Sequence, residues 1–306
     1  MSHQSYIPVG SEFEADCEYV VVGTGAGGAS VAVSLARGGA KVALVEAGAW
    51  RDPKDYPTTG YGFMRDMLDD WGNTITRGRA MWPVVQGRVV GGTTVINSAI
   101  VVRTPGDIFE EWKREHGFGG ESMAEDIWRA QDELDTELHV SPVPKSTWGR
   151  SNELAERAAK ALGYHDHHMN RNVKDCLGKG MCLQGCRSER KQSTNLNFVP
   201  ETLELGGMVL SCAPVDRVIF EGNKAVGVQG RFVHPQTRRK GASFSVRASK
   251  AVIIAASATH SPALLMRSGV KSRALGEYFR AHPGAGMLGV YEEPVHMEQG
   301  VMATTA

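Results

Sequence analysis

Three constellations in the sequence have residue types and spacings that could do chemistry. The first is Gly23-Thr24-Gly25-Ala26-Gly27-Gly28, which fits GxGxxG, with Glu46 eighteen residues beyond it. Gly23 allows a tight turn, Gly25 lets the backbone approach a pyrophosphate, and Gly28 lets a following helix lie against the preceding strand. Glu46 stands where an acid can accept both hydroxyls of an adenosine ribose. The second is Gly91-Gly92-Thr93-Thr94 with Asn97, a diglycine followed by small hydroxyl residues. Such a segment can open a helix whose N–H groups and hydroxyls face a ligand, or it can simply cap a buried helix. The third is a loop carrying Cys176, Cys182 and Cys186, with Gly178, Gly180 and Gly185 between them. Three thiolates so spaced suit an iron–sulfur cluster. With His165, His167 or His168 as a fourth ligand they suit zinc, and as packed thiols or one disulfide they suit neither.

The surrounding elements must position these groups. Residues 19–22 form a short β-branched run that reads as a buried parallel strand. After the glycine turn, Ala29, Ala32, Val33 and Ala36 recur at helical spacing, Gly38-Gly39 ends the helix, and residues 41–45 supply a second strand. Strand, glycine turn, helix, strand and spaced acid together predict dinucleotide binding, with NAD and FAD equally admissible at this point. Residues 50–78 lack periodicity apart from a helical turn around 63–71. From 106 to 163 the pattern is helical and more polar, with Ile108, Phe109 and Trp112 on one face and a capping box at Ser122 and Glu125. Short strands are expected at 208–212, 215–220, 225–233 and 244–248, the basic residues 238–240 marking a solvated hairpin tip. A further continuous apolar strand is expected at 250–256.

The fold class is therefore α/β: a Rossmann-like dinucleotide-binding domain with a helical insert and β-hairpin strands. The expected division is 1–105 and 196–285 as two parts of that domain, 106–195 as a substrate-side insert with the cysteine loop, and 286–306 as the start of a further domain.

The 306 residues allow two domains, and Lys plus Arg balance Asp plus Glu at 34 each. That balance offers nucleic acid or an anionic membrane no basic surface. No basic leader with an apolar stretch opens the chain and no apolar run approaches a membrane span, so a soluble cytoplasmic protein is the default expectation. Five cysteines, three of them in one loop, do not make a secreted disulfide framework. Cys17 and Cys212 are expected to be buried bystanders.

Three separated stretches give the chain a resemblance to the glucose–methanol–choline oxidoreductases, a family of FAD-dependent alcohol dehydrogenases and oxidases. They are the dinucleotide unit ending at Glu46, the segment GRVVGGTTVIN from Gly87 to Asn97, and SATHSPALLMRSGV from Ser257 to Val270. Lys271 stands where the last signature usually has glycine, and the pattern after Asn97 loosens. The resemblance narrows the dinucleotide to FAD, since an NAD-dependent dehydrogenase would fit only the opening unit. It implies that Gly23, Gly25 and Gly28 carry the pyrophosphate and Glu46 the adenosine ribose. The backbone of Val215 would meet the adenine, and Gly92, Thr93 and Asn97 would lie against the isoalloxazine and ribityl chain. No His precedes Gly87 where some relatives attach the flavin, so FAD is expected to be non-covalent.

The cysteine loop is similar to that of some bacterial flavin sugar dehydrogenase large subunits, which use an iron–sulfur cluster, and also to long-chain alcohol oxidases. Family members are longer, and the resemblance places their catalytic His with a second His or Asn in a C-terminal part beyond Ala306. His282, in the HPG turn, is expected to be structural. A second polypeptide supplying the substrate domain and the base is therefore the expected partner, and the family's activity makes an alcohol the expected substrate. The competing expectation is a non-catalytic or truncated FAD-binding fragment acting only as a partner subunit.

Overall fold

The computed structural model describes residues 2–77, 81–119, 122–164, 168–280, 286, 288–302 and 304. In chain order its elements begin with β1 (Ser2–Gln4), β2 (Glu12–Val22), α1 (Ala26–Arg37), β3 (Val42–Val45) and α2 (Gly60–Met67). There follow β4 (Ile100–Val101), α3 (Gly106–His116), α4 (Met123–Glu137), β5 (Val140–Pro142), α5 (Arg150–Ala161) and β6 (Asn170–Asn172). The last are α6 (Phe198–Glu204), β7 (Met208–Leu210), β8 (Val215–Glu221), β9 (Lys224–Val233), β10 (Lys240–Ile254) and α7 (Ser257–Arg267). The chain divides into two compact units, 1–96 with 193–289, and 97–192 with 290–306. No helix among the described residues is long and apolar enough to cross a membrane.

The first unit is built on a seven-stranded sheet in the order β1-β7-β3-β2-β10-β9-β8. The five strands from β1 to β10 in that order run parallel, and β9 and β8 add an antiparallel hairpin at one edge. The β2-α1-β3 unit at its centre is the one read from residues 19–45. Val20, Val21, Ala29, Ala32, Ala43 and Leu44 are wholly buried there. Fully burying a Val or Leu side chain contributes roughly 1.5–3 kcal/mol, so this seam anchors the unit.

Two strands are longer than expected. β2 begins at Glu12 because residues 12–17 alternate, with Glu12, Glu14 and Asp16 outward and Phe13 and Ala15 against the core. The strands expected at 244–248 and 250–256 are one, β10, which follows β2 through Ser243–Ala248 and again through Ala251–Ile254 across a bulge. Lys250 in that bulge, whose Nζ is 2.5 Å from Glu18 Oε1, is the polar break that makes one strand read as two.

In the second unit, β4, β6 and β5 form a three-stranded antiparallel sheet with β6 in the middle. Ala99, Val143, Val173 and Val301 make a small core, with Trp148 and Cys176 packed on it. The expected capping box is not formed: Ser122 precedes α4, but its hydroxyl donates to Asp126 Oδ2 at 2.9 Å, one residue beyond Glu125.

Candidate functional site

The glycine turn sits between the end of β2 and the start of α1. Gly23 has φ +101°, a conformation that glycine adopts without strain. A methyl group on Gly23 would stand 2.4 Å from the Ala255 carbonyl oxygen, and one on Gly28 would stand 2.0 Å from the Gly23 carbonyl oxygen. Both glycines are thus required by the chain's own packing. Gly25 differs: nothing lies within 4 Å of the space its side chain would fill. Gly25 is the N-cap of α1, and the leading N–H groups of a helix have no partner within it and favour an anion. A cradle closed by Gly23 and Gly28 and left open over Gly25 fits a pyrophosphate.

Glu46 ends β3 almost fully buried. Its Oε2 accepts from the Thr24 backbone N–H at 2.9 Å and from the Thr24 hydroxyl at 2.7 Å, and its Oε1 accepts from Gly48 N–H at 2.8 Å. The carboxylate therefore fixes the glycine turn to the end of β3. The expected adenine residue lies nearby in the chain path: Ala213 N–H donates to the Glu46 carbonyl at 2.8 Å, and Val215 begins β8 two residues on.

A second glycine turn joins the first. Thr24 Oγ1 accepts from Gly91 N–H at 2.8 Å, and Thr194 Oγ1 donates to the Thr24 carbonyl at 2.9 Å. Thr94 Oγ1 in turn donates to the Gly91 carbonyl at 2.6 Å. Gly92 lies directly against Gly25, since a methyl group on it would be 3.0 Å from Gly25 Cα. The helix expected from this segment is a single 3-10 turn, Gly92–Val95. Positive φ at both Gly91 and Gly92 keeps the backbone from entering the α-region earlier. Thr93 is exposed, with Oγ1 accepting from Gly87 N–H at 3.1 Å.

Gly23, Gly25, Gly28, Glu46, Gly92, Thr93 and Val215 all belong to the first unit. Asn97 belongs to the second, where it is exposed and its Oδ1 accepts from Ala99 N–H at 3.1 Å. Sequence reasoning missed the roles of Thr24 and Thr194. Thr24 stands inside the motif and its hydroxyl could have been noticed. Thr194 sits in a polar run, QSTNLN, with no periodic signal.

In the second unit Cys176, Cys182 and Cys186 line one cavity of about 290 Å³, together with Lys179, Arg187 and Arg190. Each sulfur accepts a hydrogen bond: Cys176 from Gly178 N–H at 3.4 Å, Cys182 from Arg171 Nη2 at 3.2 Å, Cys186 from Arg190 N–H at 3.3 Å. Arg171, in the central strand β6, and Lys191 are essentially inaccessible to solvent. Lys191 Nζ donates to the carbonyls of Cys182 at 2.8 Å and Asn97 at 2.9 Å. Burial lowers the Lys191 ammonium to about 8, against the opposing charges of Cys182 and Cys186, while Arg171 pushes it the same way as burial. Among the described residues no set of three or more His, Cys, Asp and Glu side chains is arranged to hold a metal ion. The three thiols thus share a cavity without being gathered as a ligand set, because each sulfur is held by its own local donor. His165 and His167, offered as further ligands, and His282 lie outside the described residues. His168 stacks edge-on to Trp148 at 5.2 Å.

A family model described as GMC oxidoreductase matches residues 17–284. An uncharacterized GMC-type oxidoreductase of Mycobacterium tuberculosis is 35% identical over 289 residues, covering 94% of this chain and 45% of that protein. A long-chain-alcohol oxidase of Arabidopsis thaliana is 26% identical over 275 residues, covering 87% of this chain and 36% of that protein. Among solved structures, a formate oxidase from Aspergillus oryzae superposes with a TM-score of 0.60 at 20% identity, over 85% of this chain and 48% of that one. The fold is thus similar to that of the formate oxidase, and the chain spans 36%, 45% and 48% of the alcohol oxidase, the Mycobacterium protein and the formate oxidase respectively.

Proposed function

The chain belongs to the GMC oxidoreductase family, and on that premise we propose that it is the FAD-binding part of an oxidoreductase acting on alcohols. The observation that carries this reading is the contrast within the glycine turn, where Gly23 and Gly28 are closed by the chain's own backbone and Gly25 is open. In this reading Gly23, Gly25 and Gly28 hold the pyrophosphate, Glu46 accepts from the adenosine ribose, and the Val215 backbone meets the adenine. Gly92, Thr93 and Asn97 line the flavin side. When bound, non-covalent FAD supplies at its N5 the acceptor for the hydride leaving the alcohol carbon. The chain's own contribution is to fix the cofactor through rigid backbone donors, so that little reorganisation is needed as charge develops.

The proton of the alcohol goes to a His, paired with a second His or Asn, in the part of the relatives' length that this chain does not span. We place the protein in the cytoplasm. Cys176, Cys182 and Cys186 are the residues an iron–sulfur centre would use, but their sulfurs are not gathered as a ligand set among the described residues, so no electron-transfer step is assigned to them.

The test is to co-express the chain with its neighbouring coding region and follow flavin absorbance anaerobically while alcohols are added. Bleaching with an aliphatic or sugar alcohol supports the reading. A complex that holds FAD yet bleaches with no alcohol points instead to a non-catalytic FAD-binding subunit.

A further inference from the structure

Three consecutive polar residues of the first unit, Ser193, Thr194 and Asn195, are buried, and the proposed function makes no use of them. Burying polar groups costs free energy unless each finds a partner, and these do. Ser193 Oγ donates to Asn195 Oδ1 at 2.7 Å, and Asn195 Nδ2 donates to the Tyr56 hydroxyl at 2.9 Å. The Thr194 carbonyl accepts from Val199 N–H at 2.9 Å, which ties the segment to the first turn of α6. Thr194 then reaches both glycine turns. Its hydroxyl donates to the Thr24 carbonyl at 2.9 Å, with the Gly91 carbonyl 3.3 Å away. Its backbone N–H donates to Thr94 Oγ1 at 3.2 Å, the hydroxyl that holds the Gly91 carbonyl at 2.6 Å. Asn195 packs on the same turn, since a methyl group on Gly91 would be 3.0 Å from Asn195 Cβ.

Both carbonyls held in this way belong to peptide bonds that lead into a glycine, Thr24–Gly25 and Gly91–Gly92. With no Cβ on the following residue, such a peptide plane turns at little steric cost. A trans peptide sets its N–H opposite its C=O, so pinning the carbonyl also fixes the N–H. In the second turn the Gly92 N–H fixed in this way donates to the Val89 carbonyl at 2.7 Å. In the first turn the N–H so fixed is that of Gly25, the N-cap of α1. We infer that Thr194 is a positioning residue for the flavin cofactor: it locks these two glycine peptides and thereby the separation of the pyrophosphate turn from the flavin-side turn. The inference rests on the FAD reading above. Thr194 acts through Thr24 and Thr94 and not on the cofactor itself, and a backbone donor already held in one direction needs no reorganisation when FAD binds.

The chain, purified with the product of its neighbouring coding region and stripped of flavin, is titrated with FAD while flavin fluorescence is followed. Thermal melts of the flavin-free protein run in parallel. Thr194→Val keeps the volume and removes the hydroxyl, and should weaken FAD binding at least about tenfold, roughly 1.4 kcal/mol. Thr194→Ser restores the hydroxyl and should recover most of that affinity. Thr202→Val is the control for lost stability alone: the Thr202 hydroxyl is likewise buried and donates to a backbone carbonyl, that of Phe198 at 2.7 Å within α6. Both valine variants should melt below wild type, and only Thr194→Val should lose FAD affinity. At saturating FAD the visible circular dichroism of the flavin should change in Thr194→Val and not in Thr202→Val. If Thr194→Val does not fold, Thr94→Val decides and should lose affinity in the same way, because its hydroxyl is the other half of the link and its side chain is only partly buried. Wild-type protein that takes up no FAD overturns the FAD reading and this inference together. FAD bound as tightly by Thr194→Val as by wild type, or weakened equally by Thr202→Val, overturns this inference alone.

Discussion

The Thr24 hydroxyl donates to Glu46 Oε2 at 2.7 Å while accepting from Gly91 N–H at 2.8 Å. One buried oxygen therefore couples the acid at the end of β3 to both glycine turns. Thr24→Val keeps the volume but leaves Gly91 N–H and one Glu46 oxygen short of a partner. It should cost about 1–3 kcal/mol in urea unfolding, and Thr24→Ser should recover most of it. Equal stability of Thr24→Val and wild type would contradict the coupling.

The glycines of the first turn should separate into two classes. Gly28→Ala drives a methyl group into the Gly23 carbonyl and should lower stability by roughly 1–3 kcal/mol or more. Gly25→Ala meets open space at a φ of −65°, so unfolding free energy should stay within about 1 kcal/mol of wild type. Its FAD affinity should nevertheless fall at least about tenfold, roughly 1.4 kcal/mol. Parallel thermal melts and flavin titrations check both.

Asp69 should make stability pH-dependent. Its Oδ2 lies 2.8 Å from His260 Nε2 and its Oδ1 3.2 Å from Arg88 Nη1. The His260 hydrogen bond, helped by the Arg88 charge, holds the Asp69 carboxyl below its usual range. The folded state thus prefers the ionised form, so the contribution is present above the unfolded value near 3.9 and is lost as pH falls through the lower folded value. Because His260 is about half exposed, the effect should be only about 0.5–1 kcal/mol. The stability difference between wild type and Asp69→Asn, measured from pH 6 down to pH 3, should shrink. A constant difference would refute the role.

The β2-α1-β3 core was legible because its signals are local: a β-branched run, glycines at fixed offsets and a 3.6-residue apolar repeat. The outer half of β2 was harder, since Glu12, Glu14 and Asp16 disguise an alternating strand whose inner face is only Phe13, Ala15 and Cys17. β10 read as two strands because a charged bulge residue, Lys250, interrupts its apolar pattern. The Thr24 and Thr194 network and the convergence of Arg171, Arg190 and Lys191 on the cysteines depend on segments up to 170 residues apart. No spacing rule predicts such meetings, which are set by strand register and turn geometry. The helix expected after Gly91-Gly92 failed for a local reason, the left-handed φ of both glycines, which diglycine permits without requiring.

The central claim is that the first unit holds FAD in the cradle between Gly25 and Glu46. Its most direct measurement is the flavin content of the chain, purified with the product of its neighbouring coding region, in wild type and in Gly25→Ala. Equimolar FAD, released on acid precipitation from the wild type and absent or strongly reduced in a folded Gly25→Ala, is the expected result. A folded wild-type complex that takes up no FAD, or a Gly25→Ala variant that binds it as tightly, would contradict the claim.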